Sequence, residues 1–411
     1  MSLNHHILAK TTTDAVLEKF KNTEWNYANG HGKSFYRVGT TASFPSPDAT
    51  FYDPDNDVLA SFEFKPPTET KRGILTGVGQ SIAYLQECSI SYLVAPQRLE
   101  DYNLGSYLTD LYSKQLNNKI PVGLILYDNN NPTKVSLVQN IDSISKTKGE
   151  KHSKPKTDRF WAKHQDLPIP LFHLILHCYY LKKTGMIKED PFAYCFRKML
   201  IPEKVLNDFQ AISVNDISGN PIITLGGRKK IMFLEKKLAE TADKTKEERL
   251  KILTSEIDTD FVGDNYYNSI RKNYVTFLKH IQVIDSENNL TESGFKLYHL
   301  GLVNGPASKI FYDYFTKEIL ITGHHLDLIF DFDVLKQKEK DFSVEKVFKQ
   351  LEIEYENKGY LKRNPNRKVA SESKVKFLKY ERILWKALGL IDKNNAIQWK
   401  KITEICSLPE L

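Results

Sequence analysis

The sequence predicts an α/β domain, a mixed sheet flanked by helices, followed by mostly α domains. Strand-like apolar runs alternate with amphipathic segments over residues 1–165, which is the order expected of an α/β fold. The stretch SPDATFYDPDNDVLASFEFKPP (46–67) holds two strand-like runs around a turn and therefore predicts a hairpin. Residues beyond 205 are lysine-rich and helical, which indicates a change of domain type.

Each element of the first domain follows from a local pattern. Helices are expected where apolar residues recur every three or four positions, and strands where short apolar runs are bounded by turn formers. The run PVGLILYD (121–128) is apolar almost throughout, as central strands are. In chain order we predict a helix over 12–24, an extended segment over 34–44, the hairpin, a helix over 73–87, a strand over 89–96, a helix over 103–116 and a strand over 121–128.

Composition narrows the class of protein. Of the 411 residues 41% are hydrophobic and 27% charged, which is typical of globular chains. The longest apolar runs, such as LFHLILHCYYL (171–181), are too short to span a membrane. The four cysteines lie far apart and the start of the chain lacks a signal-peptide core, so we expect a cytoplasmic protein with no membrane partner. A net charge of +7 is compatible with a polyanionic partner.

The register of the hairpin can be worked out from its turn. Residues 54–57 (PDND) are turn formers, so Asp53 is expected to pair with Val58. Counting outward then places Asp48 directly opposite Glu63. The alternation agrees, because one face carries the phenylalanines and alanines while the other carries the polar side chains, with Leu59 the single misfit.

Two opposed carboxylates would destabilise a strand pair, but they suit a divalent cation. Asp48 and Glu63 supply hard oxygen ligands of the kind that Mg²⁺ prefers. Lys65, one pleat away, could orient or deprotonate a water or stabilise charge on a phosphate. The alternative at this point is an ordinary solvated strand face with unrelated charges.

The helix expected over 73–87 has two distinct faces. Apolar side chains at Ile74, Leu75, Val78, Ile82 and Leu85 are expected to form its core stripe. A second face carries two glycines, Gln80 and Tyr84. Because a glycine inside a helix costs about 1 kcal/mol, this face is expected to lie close to another part of the backbone. Tight packing of the helix on the sheet would explain it equally well.

The pattern P-D-x14-E-x-K on a hairpin, followed by Q-x-x-x-Y, resembles the PD-(D/E)XK nuclease superfamily, which includes many restriction endonucleases. The resemblance covers roughly residues 10–130. It implies that Asp48, Glu63, Lys65 and Gln80 are catalytic and that Tyr84 contacts DNA. A second Pro-Asp pair, in the turn at 54–55, departs from the pattern and lies too close to Glu63.

The same resemblance implies a metal cofactor. Mg²⁺ would be bound by Asp48, Glu63 and a glutamate of the N-terminal helix. Glu18 is the best candidate for that third ligand, with Glu24 as an alternative.

The C-terminal half contains one pattern twice, at 279–290 and 386–397. Each copy follows an amphipathic segment and holds an Asn-Asn turn between short apolar runs, so each predicts a helix followed by a hairpin, as in a winged helix. In such a fold the helix before the hairpin enters the major groove of DNA. The nominated DNA-binding residues are Asn268, Arg271, Lys272, Arg228, Lys229, Arg363, Arg367 and Lys374.

Two histidine pairs invite comparison with metal sites. His173 and His177 lie one helical turn apart, but the sequence offers no acidic third ligand nearby, so ordinary packing is preferred. His324 and His325 face the same objection.

The sequence therefore predicts four domains: a nuclease domain (1–165), a helical connector (166–205) and two winged-helix-like domains (206–305 and 306–411). The resemblance implies a bacterial, sequence-specific endonuclease for double-stranded DNA. Such an enzyme would cut at a distance from its site, as type IIS enzymes do, or act as a homodimer on DNA. A cognate methyltransferase would act on the same site. A non-catalytic DNA-binding regulator and a RecB-like repair nuclease stay open as alternatives.

Overall fold

The computed structural model describes residues 3–28, 31–39, 46–116, 119–144, 159–164, 169–195, 239–245, 247–248, 251–252, 265–361 and 377–410. The chain forms two compact units. The first, called the sheet unit, comprises Met1–Ala162, Gly323–Lys379 and Asn394–Ser407. The second, called the helical unit, comprises Lys163–Thr322, Tyr380–Lys393 and Leu408–Leu411. The four predicted domains, drawn from sequence patterns, stay a prediction.

The sheet unit is built on a six-stranded mixed sheet in which the strands stand side by side in chain order. The first three strands are antiparallel, the third, fourth and fifth are parallel, and the sixth is antiparallel to the fifth. The strands are β1 (Tyr36–Val38), β2 (Ala49–Asp53), β3 (Val58–Phe64), β4 (Ile90–Pro96), β5 (Val122–Tyr127) and β6 (Val135–Gln139).

Helices form most of the rest of the described chain. They are α1 (Leu3–Lys21), α2 (Lys71–Ala83), α3 (Leu104–Leu111), α4 (Ile169–Lys183), α5 (Pro191–Tyr194), α6 (Asn265–His280), α7 (Glu292–Asn304), α8 (Lys309–Leu320), α9 (His325–Lys338), α10 (Val344–Asn357), α11 (Lys379–Ala387) and α12 (Trp399–Cys406).

Parallel strands need crossover connections, and α2 and α3 provide them. Ile74 and Val78 of α2 share a buried core with Leu104 of α3 and with Leu93 of β4. The neighbouring residue of β4, Tyr92, points to the opposite face, where its ring lies 5.8 Å from that of Phe20 in α1. The sheet is therefore covered on both faces, and both β2 and β3 are buried along their whole length.

Buried ion pairs hold the C-terminal helices of the sheet unit to its N-terminal part. Lys10 of α1 contacts Asp14 at 2.7 Å and Asp331 of α9 at 2.9 Å. Arg37 of β1 contacts Asp327 of α9 at 2.9 Å, and its guanidinium lies over the ring of Phe160. Residues 325–338 are thus part of the unit that contains the sheet, which local sequence patterns did not indicate.

The predicted α/β fold with a mixed sheet is confirmed. The hairpin register is also as predicted, since Asp53 pairs with Val58 and Ala49 with Phe62. The first helix begins at Leu3 rather than at residue 12, and β6 was not predicted. The helix expected over 73–87 ends at Ala83 and continues as a short 3₁₀ turn over Tyr84–Gln86.

The core stripe predicted for α2 is partly wrong. Ile74 and Val78 are buried, but Leu75 is 49% and Ile82 39% exposed. The helix contacts the sheet through the line of Ile74, Gly77, Val78 and Ser81, which rotates the other two side chains outward.

In the helical unit, the first predicted hairpin reduces to a single bridge between Ile284 and Leu290, after α6 and before α7. The second repeat holds isolated bridge positions at Ile391 and Ile397, followed by α12. Each copy is therefore helix, short turn, helix. No helix in the described ranges is long and apolar enough to cross a membrane.

Replacing Asp327 by alanine should destabilise the sheet unit by about 3–5 kcal/mol, because it leaves Arg37, only 3% exposed, as a buried charge without its carboxylate. Urea-induced unfolding measures the loss. Asp110→Ala is the matched control: its pair with Lys114 is exposed, so the change should cost less than about 1 kcal/mol. Similar losses in both variants would contradict a structural role of the buried pair.

Candidate active site on the β2–β3 hairpin

The hairpin brings two carboxylates together. Asp48 immediately precedes β2, and because Ala49 pairs with Phe62, the next position outward from that pair places Asp48 opposite Glu63. Oδ2 of Asp48 accepts the backbone N–H of Phe64 at 2.7 Å, which fixes the carboxylate across the strand pair. Glu63 lies in β3 and is 4% exposed.

Lys65 follows β3, and both its backbone and its ammonium group are held by hydrogen bonds or ion pairs. Its backbone N–H donates to the carbonyl of Val94 at 2.9 Å, and its carbonyl accepts the hydroxyl of Tyr127 at 2.9 Å. Its Nζ lies 2.9 Å from Oε1 of Glu63 and donates to Oε1 of Gln80 at 3.1 Å. An ammonium has three donors, so one N–H of Lys65 is left for a further acceptor.

Helix α2 reaches this site because one of its residues is glycine. The side chain of Thr70 caps the helix by accepting the N–H of Gly73. One turn on, a β-carbon added at Gly77 would lie 2.5 Å from Cε of Lys65 and 3.1 Å from Cδ1 of Leu93. Gly77 therefore makes room for the lysine stem between the helix and the sheet. The close approach expected of this helix face is present at Gly77.

Tyr84 lies beneath the carboxylate rather than on the surface. It is 3% exposed, and its hydroxyl donates to Oε2 of Glu63. The carbonyl of Ser46 is 3.1 Å from the same hydroxyl. In this position the buried side chain holds Glu63 in place, and its expected contact with DNA stays a prediction.

The surroundings of Asp48 and Glu63 disfavour ionisation of both carboxyl groups at once. Burial, followed by the charge of Glu63, raises the pKa of Asp48 to about 8. Burial also raises the pKa of Glu63, against the opposing charge of Lys65. The pKa of Tyr84 is raised by burial and by the adjacent Glu63. One lysine thus contacts Glu63, the buried member of the two carboxylates, and a further cation would relieve the remaining repulsion with the half-buried Asp48.

The donor set fits a divalent cation such as Mg²⁺, which takes one or two carboxylates and keeps several waters. Each oxygen of Glu63 makes one hydrogen bond or ion pair and retains a lone pair for a metal. Within the described residues no group of three or more His, Cys, Asp or Glu side chains could hold a metal. Glu18 is exposed near the end of α1, and its expected role as a third ligand stays a prediction.

A different residue of α1 lies near the end of β3. The ring of His5 is 5.7 Å from that of Phe64, and its Nδ1 is buried with no hydrogen-bond partner. Burial, the N-terminal amine and Lys65 lower the pKa of His5 to about 4. Sequence reasoning missed this position, because two adjacent histidines show no periodic or motif pattern.

The predicted DNA-binding residues are only partly described. Arg271 in α6 binds Asp190 at 2.7 Å, and Asp190 caps α5, so this arginine has a structural partner within the helical unit. Lys272 is exposed on α6, and Asn268 lies in the same helix, its side chain being outside the described part. The remaining nominated residues lie outside the described residues: Arg228, Lys229, Arg363, Arg367 and Lys374.

The histidine pair of α4 contacts a tyrosine of α7. His173 Nε2 lies 3.1 Å from the carbonyl of Tyr298, and His177 Nδ1 lies 2.9 Å from its hydroxyl. Both rings also pack against the ring of Tyr298. This arrangement agrees with the packing role preferred from the sequence.

A comparison of the chain with protein-family models and with curated proteins finds no match.

Asp48→Asn should raise the thermal midpoint of the protein, and more so at pH 8.5 than at pH 5. The folded-state pKa of Asp48 is raised to about 8, so the folded protein holds a proton there that the unfolded chain releases near pH 4. The stability that this group contributes is therefore lost as the pH rises through that interval. Asparagine cannot ionise and avoids the loss.

Thermal melts in EDTA at the two pH values measure this effect. The histidines with lowered pKa values titrate in both proteins, so their contribution cancels in the difference. A difference between variant and wild type that is the same at pH 5 and pH 8.5 would show that Asp48 is not held in this way.

Proposed function

We propose that the chain is a Mg²⁺-dependent endonuclease that cleaves double-stranded DNA at specific sequences, as restriction enzymes do. The single observation that carries the proposal is the pairing of half-buried Asp48 with buried Glu63, with Lys65 held between Glu63 and Gln80. A structural ion pair would not require two adjacent carboxylates with raised pKa values. A site that binds a cation and a phosphodiester would require such a pair.

In this proposal Asp48 and Glu63 hold the cation. Bound Mg²⁺ would supply Lewis-acid stabilisation of the phosphate charge and a more acidic water. Lys65 uses its remaining N–H to orient the attacking water or to hold a phosphate oxygen. Gln80 keeps the ammonium in place, and Tyr84 fixes the second oxygen of Glu63. The stem of Lys65 passes Gly77 to reach this position.

Recognition of DNA is assigned to the C-terminal half, with winged-helix-like units as its modules. Support comes from the helix–turn–helix order around the Ile284–Leu290 bridge and from the net charge of +7. Exposed Lys272 on α6 is the described side chain best placed in this scheme for phosphate contact. A methyltransferase that modifies the same site would be the companion of such an enzyme.

Plasmid cleavage in the presence of Mg²⁺ tests the proposal. We expect discrete fragments, no cutting in EDTA, and a loss of at least about a hundredfold in Glu63→Gln and Lys65→Ala, because Glu63 would hold the cation and Lys65 would act on the attacking water or on the phosphate. Asp110→Asn, an exposed change on α3, serves as the matched control and should cut like the wild type.

Undiminished cutting by Glu63→Gln would overturn the site assignment. Degradation without discrete bands would favour a RecB-like nuclease that recognises DNA structure. Salt-sensitive DNA binding without any cutting would favour a non-catalytic regulator.

Gly77→Ala should lower cleavage by about tenfold or more while the protein stays folded, because the new methyl group displaces the flexible Lys65 side chain rather than the backbone. Gly73→Ala is the matched control on the same helix. Its β-carbon would meet only the end of the Glu69 side chain, which can rotate away. Initial cleavage rates and thermal midpoints of both variants give the answer, and equal rates would contradict the role of Gly77.

A further inference from the structure

Two exposed tyrosines stand together at the start of α3. Tyr102 is 37% and Tyr107 42% exposed, and their ring centroids lie 6.3 Å apart. The ammonium of Lys71 lies 4.2 Å from the centroid of the Tyr102 ring and supports it from one side. Exposed aromatic surface that is bordered by polar side chains is typical of a binding site. The pair therefore offers ring surface to a flat group from outside the molecule.

The backbone holds Tyr102 in place without a ligand. Leu99 and Tyr102 exchange two hydrogen bonds, 3.0 and 2.8 Å long, around the two-residue turn of Glu100 and Asp101. Glu100 has a φ of 50°, a left-handed conformation that glycine or asparagine would adopt at lower cost. Leu99 is buried in the core of the sheet unit, and Asn103 caps α3. A ring on such a rigid support loses little freedom when it binds.

The pair lies at the same edge of the sheet as the candidate active site. Strands β3, β4 and β5 are parallel, so the segments that follow them meet at one edge. Lys65 follows β3, and the turn that ends at Tyr102 follows β4, the neighbouring strand. Asn129, which follows β5, accepts the backbone N–H of Arg98 at 3.1 Å and ties the turn to this edge. Ligands of open α/β sheets bind at the carboxyl ends of the strands.

Charges of both signs border the rings. Arg72 and Arg98 are exposed, and so are Glu100 and Asp101 of the turn. Because the acids offset the basic charge, attraction for phosphate alone would be weak here. A flat, uncharged ring attached to a phosphate chain matches this mixture better, since stacking supplies the main attraction. A nucleobase is such a ring, and every base has a face that can stack on an aromatic side chain.

We propose that Tyr102 and Tyr107 form a platform on which one unpaired nucleobase of a DNA ligand stacks. A base inside a duplex is covered by its neighbours, so only a base that has left the helix can reach the rings. The consequence of this contact rests on the proposed function: DNA held with one base unstacked at this edge of the sheet would be opened close to the phosphate that is cut.

Binding of two short fluorescent duplexes in EDTA, where no cutting is expected, tests the platform. The duplexes are identical except that one carries a single unpaired adenine. We expect the wild type to bind the bulged duplex at least about fivefold more tightly, the lower end of what one base–aromatic contact contributes. Tyr102→Ala should bind both duplexes equally. Tyr102→Phe keeps the ring and should keep the preference.

Phe342→Ala is the matched control for the loss of an exposed ring. Phe342 is 40% exposed and has the ammonium of Lys346 5.9 Å from its ring centroid, but it precedes α10 instead of following β4. This variant should keep the wild-type preference. Three results would overturn the platform: a wild type that does not prefer the bulged duplex, a preference that survives in Tyr102→Ala, or an equal loss in Phe342→Ala.

Salt dependence separates the rings from the basic side chains. Raising the KCl concentration from about 50 to 200 mM should weaken binding of both duplexes by the same factor, because the unpaired base itself carries no charge. A preference that disappears at the higher concentration would assign the bulge to the basic side chains and contradict stacking. None of these measurements involves cleavage, so the platform and the proposed nuclease activity succeed or fail independently.

Discussion

The structure of the hairpin depends on placing two carboxylates side by side where water is largely excluded. Burial raises the pKa of both Asp48 and Glu63, so the folded chain carries an electrostatic cost at neutral pH. Each surrounding contact reduces that cost: the N–H of Phe64 on one carboxylate, and Lys65 and Tyr84 on the other. None of these contacts removes the repulsion.

The position of the lysine links the site to the architecture of the sheet. β3 is antiparallel to β2 on one side and parallel to β4 on the other. The antiparallel side sets Asp48 against Glu63, and the parallel side requires a crossover helix, which is α2. That helix supplies the side-chain amide of Gln80 for Lys65, and the short turn after it supplies the hydroxyl of Tyr84 for Glu63. The absence of a side chain at Gly77 lets the helix lie close enough to the sheet for these contacts.

Local patterns in the sequence were enough to predict the hairpin register and with it the position of Asp48 opposite Glu63, because turn chemistry and period-2 alternation act over a few residues. Local patterns could not predict which elements cover each face of the sheet. The pairs between Arg37 and Asp327 and between Lys10 and Asp331 join residues about three hundred positions apart, and no local pattern encodes them. The rotation of α2 was missed for a related reason: its sequence has more apolar residues than its buried face can use, and a periodicity count cannot tell which ones remain outside.

Two of the three glycines of α2, Gly77 and Gly79, stand in different surroundings. Each weakens the helix by about 1 kcal/mol. At Gly77 the neighbour is visible, a lysine stem that crosses toward Glu63. At Gly79 the same cost has no counterpart inside the described chain, while Leu75 and Ile82 on the same side of the helix expose apolar surface. Packing against the sheet therefore explains Gly77, because only a residue without a side chain lets the helix lie this close to Lys65.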